Sequence, residues 1–276
     1  MVQIWDGEAV LAATGPGAGA ALSAAAAYPG QVGPELDADL DLLSRRSLDV
    51  LPRSAPARRA VEARRQVVHL LRPVDDARLP PALVALPGAL ADEMLRVLTG
   101  QQGVEAALAG AGGVLAVSGR GMAVPAGRGR NDLAVEFYET LGKGAAGGLA
   151  ISGLAGPHPI VGLADITACA AGTAADAAMA AAVLADAVGL GSDGVGMVTR
   201  RESDEPGFRG VAVTKTVEQM VPDLIWEALS AGMRRASAFR QARLISAAVL
   251  TLKGRGRVAG SVDADRLLRF GVSEWG

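Results

Sequence analysis

The sequence predicts an α+β fold, a mostly antiparallel sheet with packed helices. Three observations predict it. Strand-like runs come in pairs joined by short Gly-containing turns, as hairpins do. Helix-like runs fall between groups of strands, without the regular strand–helix–strand alternation of a parallel sheet. Half of the 276 residues are hydrophobic while aromatics make up only 3%, so a sizeable core is available and it must be built from Ala, Val and Leu. Small side chains let elements approach closely and leave pockets to be shaped by backbone.

The elements follow in order. "VQIWDGEAVLAATG" reads as two strands joined at Asp6-Gly7. "ALSAAAAYPG" reads as a short helix or a loose connection, and "PELDADLDLLSRRSLDVL" carries leucines at helical spacing. "SAPARRAVEARRQVVHLL" is a helix with Ser54 as N-cap and Pro56 in its first turn, ended by Pro73. A second helix spans Pro87 to Leu98, with Gly100 and Gly103 as its stop. "VEAALAGAGGVLAVSGRGMAVPAG" reads as strand, Gly-rich turn, strand, a turn at Gly119 to Gly121, and strand. "DLAVEFYETLG" reads as another strand, and "IVGLADITACA" as the clearest one. "GTAADAAMAAAVLADAVG" is a helix with Thr173 as N-cap and Gly189 as its stop. "VTRRESDEPGFRG" reads as a charged surface loop and "VAVTKTV" as a strand. A long amphipathic helix follows in "PDLIWEALSAGMRRASAFRQARLI", then a hairpin in "SAAVLTLKGRGRVAG". The whole chain, 1–276, reads as one domain with a peripheral tail from about residue 261.

Composition narrows the function. The net charge is -2, so nothing calls for nucleic acid or an anionic membrane. The arginines of "PRSAPARRAVEARR" read as the solvated face of a helix, with a phosphate-binding face as the alternative. One cysteine, Cys169, excludes an internal disulfide and a cysteine-rich zinc site, and it reads as filling a small core gap. The start has no basic segment followed by an apolar core, and the long apolar runs are broken by Gly, Asp or Pro. The expectation is a soluble cytoplasmic protein that takes a small molecule, with apolar small-residue faces that leave room for a homodimer.

Few motifs carry chemistry. "GAGGVLA" at Gly110 to Ala116 lacks the third glycine of a dinucleotide loop, and no helix follows it. It is either a tight turn or a place where backbone meets a ligand closely. "GKGAAGG" has Lys143 without the spacing of a phosphate loop. Two distant histidines make no metal pair; His69 reads as packed among apolar residues. Ser152, His158 and Asp165 are polar residues that could form a nucleophile–base–acid set, although a triad is defined by space and not by order. Asp176 in the first turn of a helix reads as dipole compensation or as a ligand to a hard cation.

"LPGALADEML", "EAALAGAGGVLAVSG", "GGLAISG", "GLADITACA" and "TAADAAMAAAVLADAVG", in that order, resemble the uncharacterised ApbE-like family, related to the FAD:protein FMN transferases. The similarity runs from about Val84 to Gly260. It implies a T-fold-like scaffold, and FAD or FMN with Mg²⁺ as the group to look for. It also implies site residues. Gly88, followed four positions later by Asp92, matches a helix-start segment. Gly112 and Gly113 match a turn, and Ser152 with Gly153 match a Ser-Gly at a strand end. Asp176 matches a metal ligand whose partner threonine is Ala180 here.

The chain also departs from the flavin-transferase pattern. The turn's Asn and Asp are Ala109 and Val114, the lysine before the helix-start glycine is Pro87, and the Asp-Pro-x-Thr-Gly segment is missing. Fewer oxygen ligands mean weaker Mg²⁺ binding. The expectation is therefore an enzyme on this scaffold that acts on a small-molecule pathway intermediate without the Mg²⁺ site. Its polar residues would be Ser152, His158, Asp165 and Asp176, with His158, held between two prolines, either the acid–base group or a surface histidine in a Pro-rich turn. The alternatives are a retained FMN transferase and a non-catalytic flavin or small-ligand binder.

Overall fold

The computed structural model describes residues 2–6, 9–47, 49, 51–71, 79–119, 130–141, 147–190, 197–262 and 274–275. In chain order the elements are β1 (Val2–Asp6), β2 (Ala9–Thr14), α1 (Ala18–Ser44), α2 (Ala55–Leu71), α3 (Leu86–Thr99), β3 (Ala106–Ala111), β4 (Val114–Ser118) and α4 (Arg130–Thr140). Then come β5 (Gly147–Ser152), β6 (Ile166–Ala171), α5 (Ala174–Ala187), β7 (Val198–Glu202), β8 (Ala212–Val217), α6 (Pro222–Gln241), β9 (Ile245–Leu252), β10 (Arg255–Ala259) and β11 (Glu274–Trp275). The fold is α+β, as the hairpin order predicts. One sheet has the order β1-β2-β3-β4-β5-β6-β9-β10-β11, and β7 and β8 form a separate ribbon. Every neighbouring pair in the large sheet is antiparallel except β10 with β11.

Helix α5 is the centre of the molecule. It is apolar on every side, and a helix of that kind must be buried all round. Eleven of its residues, from Ala174 to Ala185, are buried. It lies on β5 and β6 and meets α2, α3 and α6. Two glycines set how close those contacts come. A Cβ on Gly148 of β5 would stand 2.0 Å from the carbonyl carbon of Thr173, and one on Gly88 of α3 would stand 2.3 Å from the carbonyl oxygen of Ala174. Backbone therefore meets backbone at the start of α5, and no side chain fits between.

The opposite face of the sheet carries Val10, Leu108, Leu115, Leu149, Ile151 and Val249, packed with Ala134, Phe137 and Tyr138 of α4. Here the structure corrects the sequence reading, which took "DLAVEFYETLG" for a strand. Ala134, Val135, Phe137 and Tyr138 are all buried. That spacing belongs to one face of a helix.

Other boundaries also move. The segment read as a short helix or loose connection is part of the 27-residue α1, which contains Pro29 and Pro34. The charged stretch "VTRRE" is strand β7 rather than loop. The strand expected across "IVGLADITACA" starts only at Ile166. Ser54 stands just before α2 as expected, with its hydroxyl 3.4 Å from the Ala57 N–H. His69 is exposed and not packed among apolar residues, because it falls on the outer side of α2. Pro73, Lys143, the strand expected after Gly121 and most of the tail from 261 lie outside the described residues.

Candidate functional site

Strands β5 and β6 are antiparallel neighbours, with Gly148 opposite Ala171 and Ser152 opposite Thr167. Their two ends carry two different sets of residues. Asp165 stands just before β6, and Thr173 and Asp176 stand just after it. Six residues of strand separate the two ends by about 20 Å. The site residues expected from sequence therefore divide into two groups. Ser152, Gly153, Asp165 and the β3–β4 turn at Gly112 and Gly113 share one end. Gly88, Asp92, Asp176 and Ala180 belong to the other.

At the first end the chain leaves β5 and crosses a loop, residues 153–165, before entering β6. Backbone bonds fold this loop on itself: Leu154 N–H donates to the Ala164 carbonyl (2.9 Å) and Ala155 N–H to the Asp165 carbonyl (3.0 Å). Its far side is fastened twice. The Asp186 carboxylate of α5 accepts from Val161 N–H (2.8 Å) and Gly162 N–H (3.4 Å). The ribbon holds it from the other direction, where Thr214 N–H donates to the Ile160 carbonyl (2.8 Å) and the Thr214 hydroxyl to the Gly162 carbonyl (2.7 Å). Burial pushes the Asp186 pKa up to about 6, against the pull of these N–H donors and of Arg46 and Arg200.

Between this pinned loop and the ribbon lies a pocket of about 240 Å³, lined by Gly153, the Pro157-His158-Pro159 run, Arg201, Glu205, Thr214 and Lys215. The ribbon's register explains how Lys215 reaches it. Thr199 pairs with Thr216 and Arg200 with Thr214, which leaves Lys215 as the extra residue of a β-bulge. A bulge re-aims a side chain that regular pleating would send elsewhere. His158, Arg201, Glu205 and Lys215 thus line one small space. Arg201, Glu205 and Lys215 were not legible as site residues. The sequence shows them only as charges near a Pro-Gly turn, and the bulge appears only once the strands are paired.

Of the three residues considered as a catalytic set, only His158 lines this pocket. Ser152 is buried where β5 ends. Asp165 accepts from the Lys253 N–H of the β9–β10 turn at 2.5 Å, and burial raises its pKa. Its carboxylate braces that hairpin. Gly112 and Gly113 form the β3–β4 turn, with the Gly113 carbonyl accepting from Ile151 N–H (3.1 Å). Cys169 is buried inside β6, and burial pushes its thiol pKa up, which suits a packing role.

At the other end, most of the polar groups already have partners in the fold. Asp92 of α3 accepts from Ala174 N–H (2.8 Å) and Ala175 N–H (3.1 Å), so it caps α5 from 82 residues away. Thr173 caps the same helix by accepting from Asp176 N–H (3.1 Å), and its hydroxyl donates to the Asp176 carboxylate (2.8 Å). Burial raises the pKa of Asp92 and of Asp176, while the nearby Arg59 charge works against both shifts. Beside Asp176 a cleft of about 530 Å³ opens under α2, with Arg58, Arg59, Glu62 and Arg65 on its wall. Glu93 at its edge binds Arg59 (2.9 Å) and Arg96 (2.8 Å).

These residues do not fit Mg²⁺. Ala180, one turn beyond Asp176, offers no side-chain oxygen and is fully buried. Both oxygens of Asp92 are bound to backbone, and one oxygen of Asp176 is bound to Thr173. Among the described residues no group of three or more His, Cys, Asp or Glu side chains is arranged to hold a metal ion.

A family model described as AbpE bacteria matches residues 10–259. The chain belongs to this family. The match takes in β2 through β10, and with them both ends of β5 and β6. No curated protein matches the sequence. Among the described residues, no helix is long and apolar enough to cross a membrane.

Proposed function

We propose that this protein is an enzyme on an ApbE-like scaffold, acting on an anionic small-molecule intermediate in the cytoplasm without the flavin transferases' Mg²⁺ site. One observation carries the reading: His158, Arg201, Glu205 and Lys215 line one pocket beside the pinned loop. Arg201 and Lys215 are the groups to hold a carboxylate or phosphoryl group. His158, fixed between Pro157 and Pro159, is the group to move a proton at the substrate. Glu205 can orient a donor group of the same molecule. Acid–base chemistry of this kind suits hydrolysis or isomerisation, and it needs no redox partner. The AbpE bacteria family and the order of Gly-rich motifs support the scaffold.

The test is turnover of a small-metabolite panel, followed by mass spectrometry, for the wild-type protein and His158→Ala. Consumption of one anionic metabolite that disappears in the variant supports the reading. A parallel incubation with FAD, Mg²⁺ and a flavinylation-motif acceptor separates it from FMN transfer. Covalent flavin on the acceptor would replace this reading with that one. A metabolite that binds and is released unchanged would make the protein a binder.

A further inference from the structure

We propose that the ligand of the His158 pocket is an acidic amino acid, a compact molecule with two acid groups and one ammonium group; the inference rests on reading this pocket as the substrate site. The pocket's volume is about 240 Å³, which is the room of about eight waters at ~30 Å³ each. It takes a metabolite of about ten non-hydrogen atoms, smaller than the ligands of most drug-sized or nucleotide sites. The loop wall offers shape rather than donors. Leu154 N–H and Gly156 N–H donate to the Ala164 and Gly153 carbonyls, at 2.9 and 3.0 Å, and Pro157 and Pro159 have no N–H to give. The Thr214 hydroxyl donates to the Gly162 carbonyl. Recognition therefore falls to charged side chains.

The ribbon supplies two cations and one anion. Arg201 comes from β7 and Lys215 from the bulge of β8. Arg201 stands opposite Val213, so the two share a ribbon face, and both line the pocket. Glu205 comes from the turn that follows β7. There its N–H donates to the Ser203 hydroxyl (3.2 Å) and its carbonyl accepts from Phe208 N–H (3.0 Å). Those bonds hold its backbone and do not use its carboxylate. Among the described residues that line the pocket, Glu205 is the one carboxylate. Arg201, Glu205 and Lys215 are exposed, and among the described residues none of them shares an ion pair. Charges that line one space without neutralising one another are complementary to a ligand with the opposite set. That set is two acid groups for Arg201 and Lys215 and one ammonium for Glu205. An acidic amino acid carries it at the right size. A monocarboxylate leaves one cation unmatched, and a dicarboxylate without an amine leaves Glu205 facing its like charge.

The full-length protein is titrated calorimetrically with L-aspartate, L-glutamate and O-phospho-L-serine, which separates a carboxylate from a phosphoryl side chain. Succinate and L-alanine are titrated beside them, since each lacks one of the three charged groups. The expected result is saturable binding of at least one of the three acidic amino acids. Succinate and L-alanine should bind at least about tenfold more weakly, the loss of one charge-assisted contact. Glu205→Gln should weaken the amino acid about tenfold and leave succinate unchanged, while Lys215→Ala should weaken both. Circular dichroism spectra of the two variants should match wild type. Three results would each overturn the proposal: no binding of any of the three amino acids, succinate binding as tightly as the best of them, or Glu205→Gln weakening succinate as much as the amino acid. Binding of an acidic amino acid without turnover would uphold the inference and overturn the enzymatic reading. Consumption of another anionic metabolite with no amino acid bound would do the opposite.

Discussion

The two ends of β5 and β6 use polar residues in opposite ways. At the α5 start, Asp92, Thr173 and Glu93 spend their oxygens on backbone N–H groups and arginines of the same chain. At the Pro157-His158-Pro159 loop, backbone bonds, the Asp186 carboxylate and the Thr214 hydroxyl do the fastening, and Arg201, Glu205 and Lys215 line the pocket beside it. The difference shows how to rank candidate residues. A polar group that satisfies a helix end contributes mainly to stability, whatever motif it sits in. A polar group on a frame that stands without it is available for chemistry.

Substitutions can break this comparison, the largest expected effect first. His158→Ala should cut turnover by about 100-fold or more, as loss of an acid–base group does, and leave stability unchanged by denaturant titration. A large loss of stability instead would move His158 into the structural group. Gly88→Val should destabilise the fold by about 3 kcal/mol, because its Cβ would enter the backbone of Ala174 and cannot relax away.

Asp186 sharpens the contrast through pH. Its pKa is about 6 in the fold against an ordinary 3.8, so between those values the native state holds the proton more tightly than the unfolded chain does. Its contribution to stability is fully present below pH 3.8 and is lost as pH rises towards 6, then stays constant. Asp186→Asn keeps an acceptor for the Val161 N–H and cannot ionise. The stability difference between Asp186→Asn and wild type should therefore grow in the variant's favour by about 2–3 kcal/mol across that window. A pH-independent difference would mean that Asp186 titrates normally. Asp92→Ala has the smallest effect, a loss of about 1–2 kcal/mol from the uncapped helix, with turnover unchanged.

Local patterns were legible in the sequence and distant ones were not. The Thr173 cap three residues before Asp176 is a short-range signal, and so is the alternation of buried and charged positions on α2. The second cap on α5, Asp92, comes from a different helix, and no local pattern announces it. Helix α4 departs from the strand expected there, and the sheet face that buries Phe137 and Tyr138 comes from elsewhere in the chain. The sequence pointed to Ser152, His158 and Asp165 as neighbours along the chain, and strand direction then sent the Asp165 carboxylate to the β9–β10 turn. Arg201 and Lys215 enter the pocket only through a pairing register that the sequence does not display.

The central claim is that the His158 pocket is where a substrate sits. The chain has two histidines, and His69 is exposed on α2. Histidine-selective NMR therefore reports both regions with two sets of signals. The protein is titrated with inorganic phosphate, and then with the metabolite that it consumes. The account predicts a saturable shift of the His158 imidazole signals, no shift at His69, and a weaker response in Lys215→Ala. Signals of His158 that stay fixed while the metabolite is being consumed would contradict it.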